Sequence, residues 1–214
     1  ITSNRKMTSL RSRVKLTPMK KVSTYLFLIL FSFSATSFAD DISDFQIEGM
    51  SIGDSLLNYI NKDDINNAPG LFYPKSKEFK QIDIEYLIKT ETYDAITVAL
   101  RTGDANYIIH EIKGFKRSSS HKECLNRRDD VVNELKNLFK NDDYKINSYE
   151  KETSESKDSI YKSIDFLFES GSVRIYCVNW SKEIRENKGG FYDDSLTVVV
   201  YDSEFQSFIN SNPF

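Results

Sequence analysis

Ser55 sits in the one phrase of this chain that suits nucleophilic chemistry, Ile52-Gly53-Asp54-Ser55-Leu56. A serine hydroxyl attacks an acyl carbon only when a histidine takes its proton and a carboxylate orients that histidine. The chain holds two histidines, His110 and His121. Neither has an aspartate three positions before it, and no histidine follows His121. The stretch before Gly53 also lacks the apolar strand that would deliver the serine. Metal chemistry meets a similar shortage. His110, Glu111, His121, Glu123 and Cys124 form the candidate ligand cluster, but His110-Glu111 has no second histidine four residues on. The acidic pairs Asp63-Asp64, Asp129-Asp130, Asp142-Asp143 and Asp193-Asp194 lack calcium-loop spacing and read as solvated charge. No phosphate-cradling glycine loop occurs. The sequence therefore assigns no catalytic residue, no metal ligand and no cofactor.

Two short phrases carry resemblances. Ile52-Gly53-Asp54-Ser55-Leu56 resembles the nucleophile block of GDSL-type esterases. That resemblance implies Ser55 as nucleophile and the Gly53 region as oxyanion site. It also implies an Asp-x-x-His near the C-terminus, which this chain does not have. Gly49-Met50-Ser51-x-x-Asp54 resembles the helix-opening phrase of small periplasmic modules of the BamE/BLIP type, which implies a binding fold with helices on an antiparallel sheet. Asp40 to Asn58 as a whole resembles small uncharacterised exported proteins of AT-rich bacteria, to which no activity is assigned.

The elements that must position these residues follow from periodicity. Ser51 or Asp54 is expected to cap a short helix carrying Leu56, Leu57 and Ile60. Residues 66–74 read as a loop on Asn-Asn, Pro69-Gly70 and Pro74, and 81–89 as a strand. Ile96, Val98 and Leu100 alternate with small partners, Thr102-Gly103-Asp104 turns, and Asn106 to Phe115 returns, which predicts a hairpin. Over about 118–140 a single apolar stripe of Cys124, Arg128, Val131, Val132, Leu135, Leu138 and Phe139 predicts the longest helix. Ser118 to Ser120 offer capping hydroxyls there, and Glu123 brings an acid to the first turn. Beyond it, Tyr144 to Tyr149 is a weaker strand. Ile164, Phe166 and Phe168 face Val173, Ile175 and Cys177 across Ser170-Gly171. A charged loop over 182–195, a buried strand over 196–201 and a short helix capped by Ser203 complete the chain. Hairpin-grouped strands argue an α+β fold, an antiparallel sheet packed by one long helix with short helices near each end.

Cys124 lies on the helix stripe and Cys177 is in phase with Val173 and Ile175, so two independent periodicities aim both thiols at one interior. A structural disulfide follows. The residues out of phase with Cys177 are Arg174, Tyr176, Val178 and Trp180, which places an arginine and two aromatics on the opposite sheet face. Such composition favours a binding surface, unless a loop or the terminal helix covers it.

Met19 is followed by Lys20-Lys21, an apolar run from Val22 to Phe33, and small residues at Ser37 and Ala39. That pattern predicts a cleavable export signal over 19–39, an unstructured upstream extension over 1–18, and a single folded domain over 40–214 in the periplasm or outside the cell. The apolar run is shorter than the roughly 20 residues of a membrane span, so no stable insertion is expected after cleavage. The chain carries 29 basic and 32 acidic residues. Seven of the basic ones and none of the acidic ones lie in 1–39, which leaves 22 against 32 and a balance of −10 for 40–214. Such a surface repels nucleic acid and anionic lipid. The sequence reads as a non-enzymatic binding or accessory module with an envelope protein or a small ligand as partner. A serine esterase using Ser55 and a purely structural envelope protein are the alternatives.

Overall fold

The computed structural model describes residues 42–188, 192–211 and 214, all within one compact unit. The expected signal segment, the upstream extension and Gly189-Gly190 of the charged loop lie outside the described residues. Local signals set the entry. Glu48 and Gly49 both take positive φ, 51° and 79°, and so close a two-residue hairpin between β1 (Gln46–Ile47) and β2 (Met50–Ser51). Asp54 accepts from the Ser51 amide, and Ser55, not Ser51 or Asp54, caps the 3-10 turn Leu56–Asn58. Asn61 then caps α1 (Lys62–Asn67).

Eight strands form one antiparallel sheet in the order β3-β4-β5-β6-β10-β9-β8-β7. Two four-stranded meanders lie side by side and meet at their last strands. The first comprises β3 (Gly70–Tyr73), β4 (Ser76–Asp83), β5 (Ala95–Arg101) and β6 (Ile109–Arg117). The second comprises β7 (Lys145–Glu152), β8 (Ile160–Leu167), β9 (Gly171–Asn179) and β10 (Ser195–Asp202). The expected hairpin partners are in register, with Ile164 opposite Ile175 and Phe166 opposite Val173. The α+β class is what the structure has.

Boundaries differ where turn signals overrode edge pairing. Residues 66–74, expected as loop, supply the end of α1 and the edge strand β3. This strand is short and lies between Pro69 and Pro74, and it shows a register shift at Phe72/Tyr73. The strand expected over 81–89 starts earlier and stops at Asp83, because the Leu87 and Ile88 amides turn back onto the Ile84 carbonyl. The charged loop contains a helix, α3 (Lys182–Lys188). Asp202, one residue before Ser203, caps α4 (Ser203–Asn210).

The long helix α2 runs from His121 to Leu138, inside the expected span, and Ser120 accepts from the Glu123 amide at its start. It lays Cys124, Val132, Leu135 and Phe139 on the first face of the sheet, against Val98, Phe166, Val173, Ile175, Cys177 and Val198. The same apolar cluster takes in Ile42, Ile47, Met50, Leu56 and Ile65 from the entry segment. Gly114 shapes this face too: a Cβ there would meet the Tyr93 ring at 2.6 Å, so only glycine lets that ring lie on β6. The Glu48 carboxylate fixes the loop that carries Tyr93 by accepting from the amides of Glu91, Thr92 and Tyr93. Cys124 and Cys177 are joined across the core with Cα atoms 6.1 Å apart. Among the described residues no helix is long and apolar enough to cross a membrane.

Candidate functional site on the second face of the sheet

Strand alternation sends Arg174, Tyr176 and Val178 to the face opposite Cys177, and Trp180 follows just past the strand end. All four are half-buried, neither in the core nor fully open. Their surroundings come from cross-strand neighbours. Arg174 stands opposite Asp165 on β8 and Val199 on β10. Tyr176 stands opposite Ser163 and Thr197. One strand further, Tyr149 of β7 pairs with Ser163 and Asn147 with Asp165.

Arg174 is held in place by its neighbours. Its Nε and Nη2 donate to Asp165 Oδ2 at 2.8 and 2.7 Å, and its guanidinium lies 5.7 Å from the centre of the Tyr201 ring. Burial works against its charge, but the Asp165 hydrogen bonds outweigh that and hold the group well above the ordinary arginine range. Asp165 is 1 % exposed, and its Oδ1 has no hydrogen-bond partner among the described residues. The rings of Tyr161 and Tyr176 lie 4.9 Å apart, tilted by 39°. Burial raises the Tyr161 hydroxyl far above its ordinary pKa.

A second ion pair lies two strands away. Lys113 Nζ is 3.5 Å from Glu111 Oε1, and Gln81 Nε2 donates to Glu111 Oε2 at 2.6 Å. Burial opposes the Lys113 charge and Glu111 restores it, so its pKa is raised. The patch is walled on one side by α4. Phe205 and Phe208 pack on Phe79, Ala99, Val199 and Tyr201, and Tyr176 touches that cluster. On the other side Trp180 meets the edge of Tyr192 at 4.7 Å, and its carbonyl accepts from Arg185, which grips Asp194 with two bonds.

The other sequence candidates are placed as follows. Ser55 Oγ donates to the Asn106 carbonyl at 2.5 Å and accepts from the Leu57 amide at 3.3 Å; neither histidine is among its partners. His110 Nδ1 bonds Asp202 Oδ2 at 2.7 Å, with its ring against Phe79. His121 opens α2, where burial lowers its pKa. Glu111 is engaged with Gln81 and Lys113, Glu123 bonds Ser119, and Cys124 is in the disulfide. The structure thus disperses the serine and metal-ligand candidates, and it sets around Arg174 and Tyr176 the residues Asp165, Ser163 and Thr197, which the sequence reading left out, together with the aromatic Tyr161. A signal for the first existed. In the hairpin register that pairs Phe166 with Val173, Asp165 must face Arg174. No protein-family model, characterised protein or solved structure matches this chain.

Proposed function

We propose that this chain is an exported, non-enzymatic binding or accessory module of the cell envelope, and that it binds through the second face of the sheet. One observation carries the reading: Arg174, Tyr176 and Val178 alternate onto a face that α4 borders, beside the Asp165–Arg174 pair, and Trp180 follows just past the strand end. Polar groups fixed before binding, beside half-exposed rings, are what a recognition surface needs, because ordering costs are met during folding. A disulfide between buried cysteines fits an oxidising compartment.

The experiment is capture from a cell-envelope extract by the immobilised protein, compared with Val178→Glu and Trp180→Ala at matched melting temperature. A component held by the wild type and lost by both variants supports the face. Equal capture by all three removes it. Export has its own measurement: protein recovered from the envelope fraction is expected to begin at Asp40. The esterase alternative is read with a fluorophosphonate probe. Labelling of the wild type that vanishes in Ser55→Ala would replace the binding reading. The two hydrogen bonds that tie the Ser55 hydroxyl to the backbone argue for no labelling.

A further inference from the structure

Going beyond that reading, we infer that the outer edge of β7 is a separate docking site. It takes an extended strand of a partner protein, antiparallel to β7, with carboxylates opposite Lys145 and Lys151 and cationic side chains opposite Glu150 and Glu152.

The two ends of the sheet are finished differently. β3 closes one end with four residues between two prolines and a register shift, devices that discourage further pairing. β7 closes the other with eight residues, no proline, and unbroken pairing to β8 from Lys145 opposite Leu167 to Glu152 opposite Ile160. Seven of the eight are exposed. The direction of each peptide group follows from the register. One pair further on, the Thr153 amide donates to the Ser159 carbonyl, and hydrogen-bonded pairs recur at every second residue of an antiparallel ladder. Lys145, Asn147, Tyr149 and Lys151 therefore turn their peptide groups to β8. Ile146, Ser148, Glu150 and Glu152 turn theirs outward, and such a row of free N–H and C=O groups is a template for one more strand.

Side chains then select the occupant. Lys145, Asn147, Tyr149 and Lys151 stand on the second face, and the four outward-bonding residues stand on the first. Among the described residues the one ion pair on this strand is Glu150 with Lys162, and Lys151 instead lies 5.5 Å from the centre of the Tyr161 ring. A second copy of β7 does not fit. Antiparallel pairing about a two-fold axis keeps the faces aligned, which would gather four lysines on one face and four glutamates on the other. Like charges brought across a strand pair repel. A strand of the reverse charge pattern gains at the same positions. It also covers Ile146 and Tyr149, 40 % and 46 % exposed on opposite faces.

The test titrates the intact protein into the fluorescein-labelled peptide Lys-Glu-Lys-Val-Thr-Thr-Val-Glu, whose residues fall opposite Glu152 back to Lys145. Its anisotropy is expected to saturate. The charge-swapped peptide Glu-Lys-Glu-Val-Thr-Thr-Val-Lys should bind about tenfold more weakly. N-methylation of the first peptide at its third and fifth residues keeps every side chain but removes two donors to β7, and binding should be lost. On the protein, Ser148→Pro removes an outward N–H and spares the β8 ladder. It should weaken binding about tenfold at an unchanged melting temperature. Lys145→Glu with Lys151→Glu, which needs no proline, should abolish the preference between the two peptides. Val178→Glu and Trp180→Ala should bind like the wild type. No saturation up to millimolar concentration, equal binding of the swapped or N-methylated peptide, or loss in the second-face variants overturns the inference. So does a dimer in sedimentation equilibrium that Ser148→Pro dissolves, which gives the edge to a second copy.

Discussion

The two faces of one sheet are built from opposite chemistry. The first is closed by α2 and the entry segment over an apolar centre, with charged residues such as Lys162 and Lys116 at its margins and a disulfide joining helix to sheet. The second is only partly covered, by α4, and carries ion pairs and tyrosines between its apolar residues. A face whose stability comes from apolar burial tolerates no ligand, and a face that holds satisfied polar groups near solvent can exchange some of those contacts for a ligand. The contrast supports the proposed division, stability mainly on one side and recognition on the other, and it can be broken experimentally.

The largest effect is expected on the first face. Cys124→Ala with Cys177→Ala opens a link with a sequence separation of 53 and should cost about 4 kcal/mol on the loop-entropy estimate. Urea unfolding reads the loss, and mass spectrometry of the unreduced protein should show the peptide joined through these two cysteines. Below the new transition, ligand capture should be unchanged. Capture lost in step with stability would mean the faces are not independent.

Next comes the buried ion pair of the second face. Arg174→Ala leaves Asp165, at 1 % exposure, without its counter-ion and should cost about 3 kcal/mol. Arg174→Met combined with Asp165→Leu should recover most of that in a double-mutant cycle, because the penalty belongs to the stranded charge. Capture should not recover. A double variant that restored capture as well would reduce the pair to packing.

Alkaline pH should act on the second face, as it does on the first through Tyr93, whose hydroxyl pKa burial also raises. Tyr161, Tyr201 and Lys113 all have pKa values raised above their ordinary 10.0, 10.0 and 10.5, the tyrosines by burial and the lysine by Glu111 acting against burial. A raised folded-state pKa contributes stability that is complete below the unfolded value and is lost as pH rises past it toward the folded one. Stability should therefore decline from about pH 10 upward, and Tyr161→Phe should shallow that decline. A slope above pH 10 unaffected by this substitution would contradict the burial of that hydroxyl.

How much of this could be read from the chain follows from how each residue is held. Cys124 and Cys177 were legible because helical and strand periodicities each fix a direction, and the two directions converge. The common face of Arg174, Tyr176 and Val178 was legible by the same alternation, whereas Trp180 lies just past the strand end. Asp165 was one inference further, since it needs the hairpin register as well as the period. The coupling of Lys113 and Glu111 to Gln81 was beyond reach, because it depends on which meander edges meet at β6 and β10. β3 escaped for a different reason: four residues between two prolines carry turn chemistry, and only pairing with β4 makes them a strand.

The smallest stability change is expected where the functional change is greatest. Trp180 is half-buried and makes an edge contact with Tyr192, and its tie to Arg185 runs through the backbone carbonyl, which any residue supplies. Trp180→Ala should therefore cost about 1 kcal/mol, the worth of one aromatic pair, and leave the Arg185–Asp194 grip in place. Calorimetry should show a near-native transition while capture falls severalfold. Trp180→Phe restores an aromatic ring without the indole N–H. Recovery in that variant assigns the residue to ring contact, and failure to recover assigns it to a hydrogen bond from the indole nitrogen. Binding that survives both substitutions would end the second face at Val178.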